Sequence, residues 1–336
     1  MAWILAGALV FQDLLGYDRV MSKRHSLREN RSAFARLPVR HIAGALTGSR
    51  IAVHARGQID DVRVPVICLH GYCRNMSDFS DFSDQFQRLA DKDWPIILID
   101  FLGRGRSSNR ARPADYSTPN DARDVAAIAA ALGIKHAVFL GQGHGGQVVM
   151  TLGASHSALI AGSILIDASP ITDTPGLVRM RDSLYLMGKV RGKQQFSRVA
   201  HQVYGNIYPG ASAEELNALA ARTHEVGKNG RVTSFFDQAL LKRLEQVRVE
   251  DMFEAQWPLF NVLANAPMML LRTQLTDQLQ RATFERMASL RSDAVQLIIP
   301  GQGSPALLSG EDEVGAIVDF VRFVSHGMKA SSIVAG

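Results

Sequence analysis

The stretch Phe139-Leu140-Gly141-Gln142-Gly143-His144-Gly145-Gly146 decides the fold of this 336-residue chain. It joins an apolar run to four closely spaced glycines, a pattern that predicts a buried strand turning sharply into a helix. Glycine suits such a turn because it lacks a Cβ, so that neighbouring backbone can pass close by. We therefore expect a strand, a tight turn at Gly143 and a helix that begins directly after it.

On both sides of this stretch, the chain alternates short β-branched runs with amphipathic helices. This alternation is typical of an α/β fold, in which helices cover both faces of a mostly parallel sheet. From Pro65 onward the runs are almost entirely apolar, as expected for central strands that are buried on both faces. The predicted strands are residues 50–55, 65–70, 95–101, 136–141, 162–168, 267–272 and 294–299.

Three covering helices have recognisable apolar faces. They are predicted over residues 77–86, 121–132 and 312–324. In the first, Phe79, Phe82 and Phe86 are spaced three and four residues apart and form one helical stripe. Ser77 or Asp78 is available there as the N-cap.

Residues 171–258 interrupt the alternation of strands and helices. They are helical in pattern, rich in charged residues and glutamine, and inserted between two predicted central strands. An insertion of this size is expected to form a helical lid over the carboxyl edge of the sheet, where open α/β folds place their ligand sites. The core is then predicted to comprise residues 41–170 and 259–330.

The net charge of +5 is concentrated near the N-terminus. Residues 19–40 contain seven Lys or Arg and one acid, so this segment alone carries more positive charge than the whole chain. The remainder is slightly acidic, which argues against nucleic-acid binding by the domain. The only two cysteines, Cys68 and Cys73, form no metal-binding motif and favour a reducing, cytoplasmic location.

Residues 1–40 form a predicted N-terminal arm that starts apolar and continues basic. Its apolar part, residues 1–12, is far shorter than the roughly 20 residues that span a bilayer, and it lacks the positive start of a secretory signal. It is expected to pack on the domain or on another subunit. Two alternatives stay open: the arm contacts an anionic membrane surface peripherally, or it is an organellar transit peptide.

Four segments, in this order, resemble the bacterial α/β-hydrolases of the esterase, lactonase and epoxide-hydrolase type. They are residues 68–72 (Cys-Leu-His-Gly-Tyr), 100–107 (Asp-Phe-Leu-Gly-Arg-Gly-Arg-Ser), 139–146 and 271–277 (Leu-Arg-Thr-Gln-Leu-Thr-Asp). The resemblance extends from about His41 to Val324. It implies the α/β-hydrolase fold, with a sheet of about eight strands and a helical lid. We expect neither a metal nor a cofactor.

The resemblance also implies that two members of the family's catalytic triad are missing. The family serine lies in the motif Gly-x-Ser-x-Gly, and this chain has Gly143 at the serine position. The family histidine follows the last strand, where this chain has Ser304. A serine hydroxyl has no useful basicity near neutral pH, so it cannot replace an imidazole as general base.

Other parts of the implied site are retained. Asp277 occupies the position of the triad acid. The backbone N–H groups of Tyr72, which follows Gly71, and of His144 correspond to the two oxyanion-hole donors. Because backbone N–H groups do not depend on side-chain identity, both donors are expected to persist around the vacated serine position.

Neighbouring side chains have structural rather than catalytic interpretations. His70 and His144 are expected to pack and form hydrogen bonds, and Cys73 is expected to be an ordinary loop thiol. A metal site built from His70, His144 and Asp277 matches no known ligand spacing. The Gly-Arg-Gly-Arg-Ser segment, residues 103–107, is expected to be a turn after a strand rather than a phosphate loop.

Three kinds of function fit such a chain. The first is a non-catalytic hydrolase homologue that acts through contacts with a protein partner. The second is a protein that binds a small apolar ligand, since exchanging serine and histidine for smaller residues enlarges a preformed pocket. The alternative is a hydrolase-type enzyme for esters or lactones with a non-standard active site. We rank these three functions in that order.

Overall fold

The computed structural model describes residues 32–46 and 48–334. It divides the chain into two units, Met1–Pro38 and Val39–Gly336. The first unit is described over residues 32–38, where Ser32–Phe34 forms a 3-10 helix. Most of the predicted arm, residues 1–40, therefore lies outside the described residues.

A mostly parallel sheet of eight strands forms the centre of the second unit. The strands along the chain are β1 Arg40–Ala43, β2 Arg50–Arg56, β3 Val66–Leu69, β4 Ile96–Ile99, β5 Ala137–Gln142, β6 Ile160–Ile166, β7 His224–Val226, β8 Val232–Ser234, β9 Met268–Thr273 and β10 Val295–Ile299. The sheet has the order β1-β2-β4-β3-β5-β6-β9-β10, while β7 and β8 form a separate hairpin. Strand β2 is antiparallel to both of its neighbours, and the remaining pairs are parallel. The predicted α/β fold and its sheet of about eight strands are confirmed.

Helices pack on both faces of this sheet. The α-helices of the described chain are α1 Ser80–Leu89, α2 Thr118–Ala131, α3 His144–Ser155, α4 Thr174–Lys189, α5 Lys193–Tyr204, α6 Ala213–Ala221, α7 Gln238–Lys242, α8 Trp257–Asn261, α9 Arg281–Leu290 and α10 Glu311–Val334. Short 3-10 helices cover Met76–Phe79, Pro113–Asp115, Ser157–Leu159 and Val262–Asn265. Within the described ranges, none of the helices combines the length and hydropathy that a membrane span requires.

The central strands explain where the core lies. Every residue of β3, β4, β5 and β6 is buried, in agreement with their almost wholly apolar sequences. Residues of α2 and α3, including Val125, Ile128, Val148 and Leu152, complete one apolar cluster against these strands. The buried strands thus fix the positions of the loops at their carboxyl ends.

Helix α1 shows the predicted apolar stripe but not the predicted cap. The three phenylalanines of the stripe are fully buried. The chain first forms one turn of 3-10 helix, whose N-cap is Asn75, and the Asn75 side chain accepts a hydrogen bond from the Ser77 N–H at 3.0 Å. Asp78, one of the two predicted caps, instead forms an ion pair with Arg74. The cap prediction was wrong because the N-cap, Asn75, lies two residues before Ser77 and begins a 3-10 turn that the apolar pattern does not indicate.

The predicted insertion, residues 171–258, contains α4 to α7 and the hairpin of β7 and β8. The hairpin departs from the purely helical prediction. Residues of the insertion, including Leu184, Met187 and Phe236, form a second apolar cluster together with Cys73 and Tyr116 of the core. A second apolar cluster of this kind allows the insertion to keep a defined shape beside the main core.

Candidate active site

The turn at Gly143 has the backbone geometry of a tight strand-to-helix turn. Gly143 lies between β5 and α3 with φ +52° and ψ −114°, in the region that favours glycine. A Cβ at Gly141 would lie 2.5 Å from the Gly146 nitrogen, and one at Gly145 would lie 2.0 Å from the Leu69 oxygen. The flanking glycines are therefore required by close backbone approach. A Cβ at Gly143 itself would meet no atom within 4 Å.

Gly143 lines a large cavity at the carboxyl edge of the sheet. The cavity has a volume of about 940 Å³, and residues from both the core and the insertion line it. Every site residue predicted from the sequence lines this cavity: Gly71, Tyr72, Gly143, His144, Asp277 and Ser304. The fold thus brings the predicted positions together around one space.

The loop that carries Tyr72 is held by a histidine and an arginine. His70 Nδ1 lies 2.8 Å from the Gly71 oxygen, and His70 Nε2 accepts a hydrogen bond from the Phe101 N–H at 3.1 Å. Burial lowers the pKa of His70 to about 3, so the ring is neutral and its proton is on Nδ1. Arg104 Nε donates to the Tyr72 oxygen at 2.8 Å. His70 is thus a positioning residue for this loop.

The backbone N–H groups of Tyr72 and His144 are available as donors. Among the residues that the structure describes, no acceptor is hydrogen-bonded to either group. The His144 N–H belongs to the first turn of α3, where no acidic residue and no capping side chain is present. A carbonyl oxygen in the cavity is the kind of group that such donors bind.

The side chain of His144 is part of a buried polar network. Its Nε2 lies 2.9 Å from Asp121 Oδ2, and its ring packs edge-on against Tyr72 and Phe101. Burial opposes ionisation of Asp121, yet Arg104, His144 and Arg110 hold the pKa of its carboxyl well below its usual range. These contacts match the structural interpretation of His144.

Ser304 belongs to a chain of hydroxyl groups that ends on a carboxylate. Ser304 Oγ donates to Asp167 Oδ2 at 2.5 Å, and Thr276 Oγ1 lies 3.0 Å from Ser304 Oγ. Thr273 donates to the same carboxyl group from its N–H at 2.8 Å and from its hydroxyl at 2.6 Å. Burial raises the pKa of Asp167 to about 6, against the lowering effect of the hydrogen bonds from Ser304 and Thr273. No imidazole of the described residues takes part in this network.

Asp167, and not Asp277, is the carboxylate bonded to Ser304, while the assignment of Asp277 to the position of the triad acid stays a prediction. Asp277 accepts hydrogen bonds from Arg179 Nε and from Gln278 Nε2, each at 2.9 Å. Asp167 follows β6 and Asp277 follows β9, and these strands are neighbours in the sheet. Both carboxyl groups therefore lie near the loop of Ser304, and chain spacing alone does not choose between them. The signal for Asp167 was its place directly after a buried strand.

The remaining candidates have structural surroundings. Burial raises the pKa of the Cys73 thiol to about 12, so the reactive thiolate is not formed near neutral pH. The Asp100 carboxylate accepts hydrogen bonds from the N–H groups of Met76 and Arg106, and a Cβ at Gly105 would lie 2.2 Å from it. The turn at residues 103–107 is therefore packed against a carboxylate, which a phosphate would not tolerate. The described residues contain no cluster of potential metal ligands.

Comparisons with known proteins agree with this architecture. Residues 64–292 match the family model described as alpha/beta hydrolase fold. A crystal structure of an alpha/beta hydrolase from Novosphingobium aromaticivorans is 28% identical with a TM-score of 0.73, covering 85% of this chain and 98% of that one.

Curated relatives are similar over a shorter region. A serine hydrolase-like protein of Danio rerio is 28% identical over 157 residues, which cover 46% of each chain. One of Mus musculus is 30% identical over 106 residues, covering 32% of this chain and 33% of that protein. The chain thus spans less than half the length of these curated relatives.

Proposed function

This chain belongs to the α/β-hydrolase family, and from that premise we propose that it is a non-catalytic homologue that binds a small ligand in the cavity at Gly143. One observation carries the proposal: the turn, the two backbone donors and the cavity are retained, while a glycine and a serine occupy the nucleophile and histidine positions. Glycine offers no attacking atom, and Ser304 is engaged with Asp167. Loss of the nucleophile alone lowers turnover about a million-fold in a serine-triad hydrolase.

Ligand binding is favoured over protein contact because the cavity combines volume with groups suited to a small molecule. Its 940 Å³ falls within the range of about 300 to 1,000 Å³ that is common for ligand sites. Free backbone donors lie beside apolar walls, which is the usual composition of such sites. Docking on a protein partner or on a membrane through residues 1–40 stays a prediction, because that arm lies mostly outside the described residues. The cytoplasmic location also stays a prediction.

The proposal predicts that the purified protein does not hydrolyse p-nitrophenyl acetate, p-nitrophenyl butyrate or γ-butyrolactone above background. The double variant Gly143→Ser/Ser304→His is expected to gain measurable esterase activity, because a side chain at residue 143 has open space and residue 304 adjoins the Asp167 carboxylate. Each single variant serves as the matched control and should stay inactive, since it lacks either the nucleophile or the base. Turnover by the wild-type protein that is lost in His144→Gln would contradict the proposal and favour an enzyme with a non-standard site.

A further inference from the structure

The two edges of the eight-stranded sheet differ in their sequences. Strand β1 lies at one edge and contains Arg40 and His41, whereas β10 at the other edge reads Val-Gln-Leu-Ile-Ile. Edge strands of soluble proteins usually carry charges, prolines or bulges that prevent pairing with a further strand. Strand β10 has no charged residue and no proline, and its register with β9 is regular throughout. It is therefore suited to pair with another strand.

Strand β10 also exposes apolar side chains on both faces of the sheet. Val295 is 47% exposed and Ile298 is 52% exposed. Successive side chains of a strand point to opposite faces, so these two residues lie on different faces. A further strand beside β10 would remove this apolar surface from water.

The outer edge of β10 presents backbone groups that β9 does not use. Strand β10 pairs in parallel with β9 alone among the described strands, and the Gln274 N–H donates to the Ile299 oxygen at 2.9 Å. The backbone groups of Ile299 thus face β9, and alternate residues of a strand face opposite sides. The N–H and C=O groups of Gln296 and Ile298 therefore point away from the sheet.

One antiparallel register of β10 with a second β10 satisfies all of these outward groups. If the two strands are centred on Leu297, Gln296 lies opposite Ile298 of the partner subunit, and each such pair exchanges both of its hydrogen bonds. Centring on Gln296 would place Ile298 opposite Ala294, whose N–H already donates to the Arg291 oxygen at 2.9 Å.

Centring the pair on Ile298 is also less favourable. It would place Gln296 opposite Pro300, which has no N–H to donate. Each of these two neighbouring registers leaves an outward carbonyl group without a donor. The register centred on Leu297 leaves none.

The helices beside β10 add apolar surface to this edge. Two strands of five residues are too small for a specific interface, which buries roughly 1,200 Å² or more. Helix α10 packs against β10 and carries Phe323, which is 66% exposed. Leu290, the exposed last residue of α9, lies on the chain shortly before β10. A two-fold axis perpendicular to the sheet would bring the α10 helices of two copies to the same side of the joined sheet.

We propose that this protein forms a two-fold symmetric dimer in which β10 pairs antiparallel with β10 of a second copy, centred on Leu297. The sheet then continues across both subunits. A second copy is favoured as the occupant of this edge because the strand satisfies its own outward backbone groups and places apolar residues opposite one another. The inference concerns assembly and does not depend on what the cavity at Gly143 binds.

Sedimentation velocity of the full chain over the micromolar concentration range tests the dimer. The wild-type protein is expected to sediment with the mass of two chains. Ile298→Lys should raise the dissociation constant about a hundredfold, because pairing would bring an unpaired charge into the interface. Val249→Lys, at an exposed apolar residue of the insertion, is the matched control and should leave the dimer intact.

Disulfide crosslinking tests the register. In the proposed pairing, the two copies of Leu297 lie directly opposite each other with Cα atoms about 4.5 Å apart, within the range that a disulfide spans. Leu297→Cys should therefore form a covalent dimer on mild oxidation, seen by non-reducing electrophoresis. Gln296→Cys is the control, because its two copies lie diagonally about 7 to 8 Å apart, too far for a disulfide. The native thiols of Cys68 and Cys73 are buried and do not compete.

Two results would overturn the proposed dimer: a wild-type protein that stays monomeric at every concentration, or a dimer that Ile298→Lys leaves unchanged. Crosslinking through Gln296→Cys but not through Leu297→Cys would overturn the register. If Ile298→Lys does not fold, the covalent dimer of Leu297→Cys decides the question by itself.

Discussion

Asp167 is the carboxylate that accepts a hydrogen bond from Ser304, the residue that the resemblance places at the family's histidine position. Its carboxyl group is buried, and donors from Ser304 and from both polar groups of Thr273 surround it. Burial still outweighs these hydrogen bonds and raises its pKa to about 6. The carboxyl group therefore binds a proton more readily in the folded chain than in the unfolded one.

This shift predicts a pH-dependent contribution to stability. The pKa of Asp167 is raised from 3.8 to about 6 in the folded state, so its contribution is fully present below pH 4 and is lost as the pH rises through 6. The free energy of unfolding of the wild-type protein, relative to Asp167→Asn, should fall by about 2 to 3 kcal/mol between pH 4 and pH 7. Urea denaturation at several pH values measures this difference in the free energy of unfolding, and the exposed Asp182→Asn is the control. A difference in the free energy of unfolding that does not change with pH would contradict the raised pKa of Asp167.

The position of Asp167 also predicts which acid would serve an engineered triad. In the Gly143→Ser/Ser304→His background, Asp167→Asn should lower kcat by about 10⁴-fold, to the limit of detection, because the new imidazole would lose its orienting carboxylate. Asp277→Asn is the matched control and should leave most of the activity, since Asp277 is bonded to Arg179 and Gln278. Steady-state rates on p-nitrophenyl butyrate decide between them. The opposite order of effects would restore Asp277 as the acid.

At the scale of elements, helix α4 joins the insertion to the core through one very close contact. A Cβ at Gly176 would lie 1.9 Å from the Asp277 oxygen, whereas one at Gly188, in the same helix, would meet no atom within 4 Å. The first turn of α4 therefore packs directly on the loop after β9. Arg179, one turn further along, adds its ion pair to Asp277.

The two glycines of α4 make a matched pair for testing this contact. Gly176→Ala is expected to destabilise the protein by about 1 to 3 kcal/mol, because the methyl group clashes with backbone that cannot yield. Gly188→Ala should be neutral or stabilising by up to about 1 kcal/mol, through helix propensity alone. Urea denaturation of both variants measures the difference. Equal effects would show that the loop after β9 adapts freely.

The apolar pattern predicted the buried elements well and the polar details poorly. Strands β3 to β6 follow from uninterrupted apolar runs, and the turn at Gly143 follows from its glycines. Strand β1 was not predicted because its four residues lie at the sheet edge and carry no apolar run. The hairpin of β7 and β8 has strands of three residues, too short for an alternating pattern to be recognised.

The sequence could not predict which polar side chains pair with one another, for a different reason. The choice between Asp167 and Asp277 depends on which of two neighbouring strand ends faces the loop of Ser304, and this is a property of the assembled sheet. Likewise, the orphan Oε1 of Gln142 becomes visible only when every nearby donor has been placed. Residue patterns predict which segments are buried, whereas tertiary structure decides which polar atoms meet.

At the scale of the whole molecule, the buried ion pair of Arg74 and Asp78 lies where the insertion contacts the core. Arg74 Nε donates to Asp78 Oδ2 at 2.7 Å, and Arg222 of the insertion lies 3.8 Å from the same carboxyl group. Burial opposes ionisation of Asp78, but the two arginines hold the pKa of its carboxyl below its usual value. Arg222 also forms a 3.0 Å ion pair with the more exposed Asp81.

Removing one partner of this buried group should destabilise the whole protein. Asp78→Asn is expected to cost about 3 to 5 kcal/mol, because it leaves the Arg74 charge buried without its partner. Asp81→Asn removes a carboxylate that pairs with the same Arg222 at the surface, and it should cost at most about 1 kcal/mol. Calorimetry of both variants gives the comparison. A small effect of Asp78→Asn would mean that solvent reaches Arg74 and screens its charge.

The positive φ of Gly143 decides which substitutions at this position are compatible with a stable fold. A serine at this turn must adopt a conformation that costs roughly 1 to 3 kcal/mol, whereas glycine adopts it without strain. Under the proposed function, the exchange of serine for glycine at this position would both remove the attacking atom and stabilise the fold. A variant with serine at this position would lose stability before it also acquired a histidine and any benefit from the serine. Under the proposed function, the stability gained with glycine therefore opposes a later return to serine.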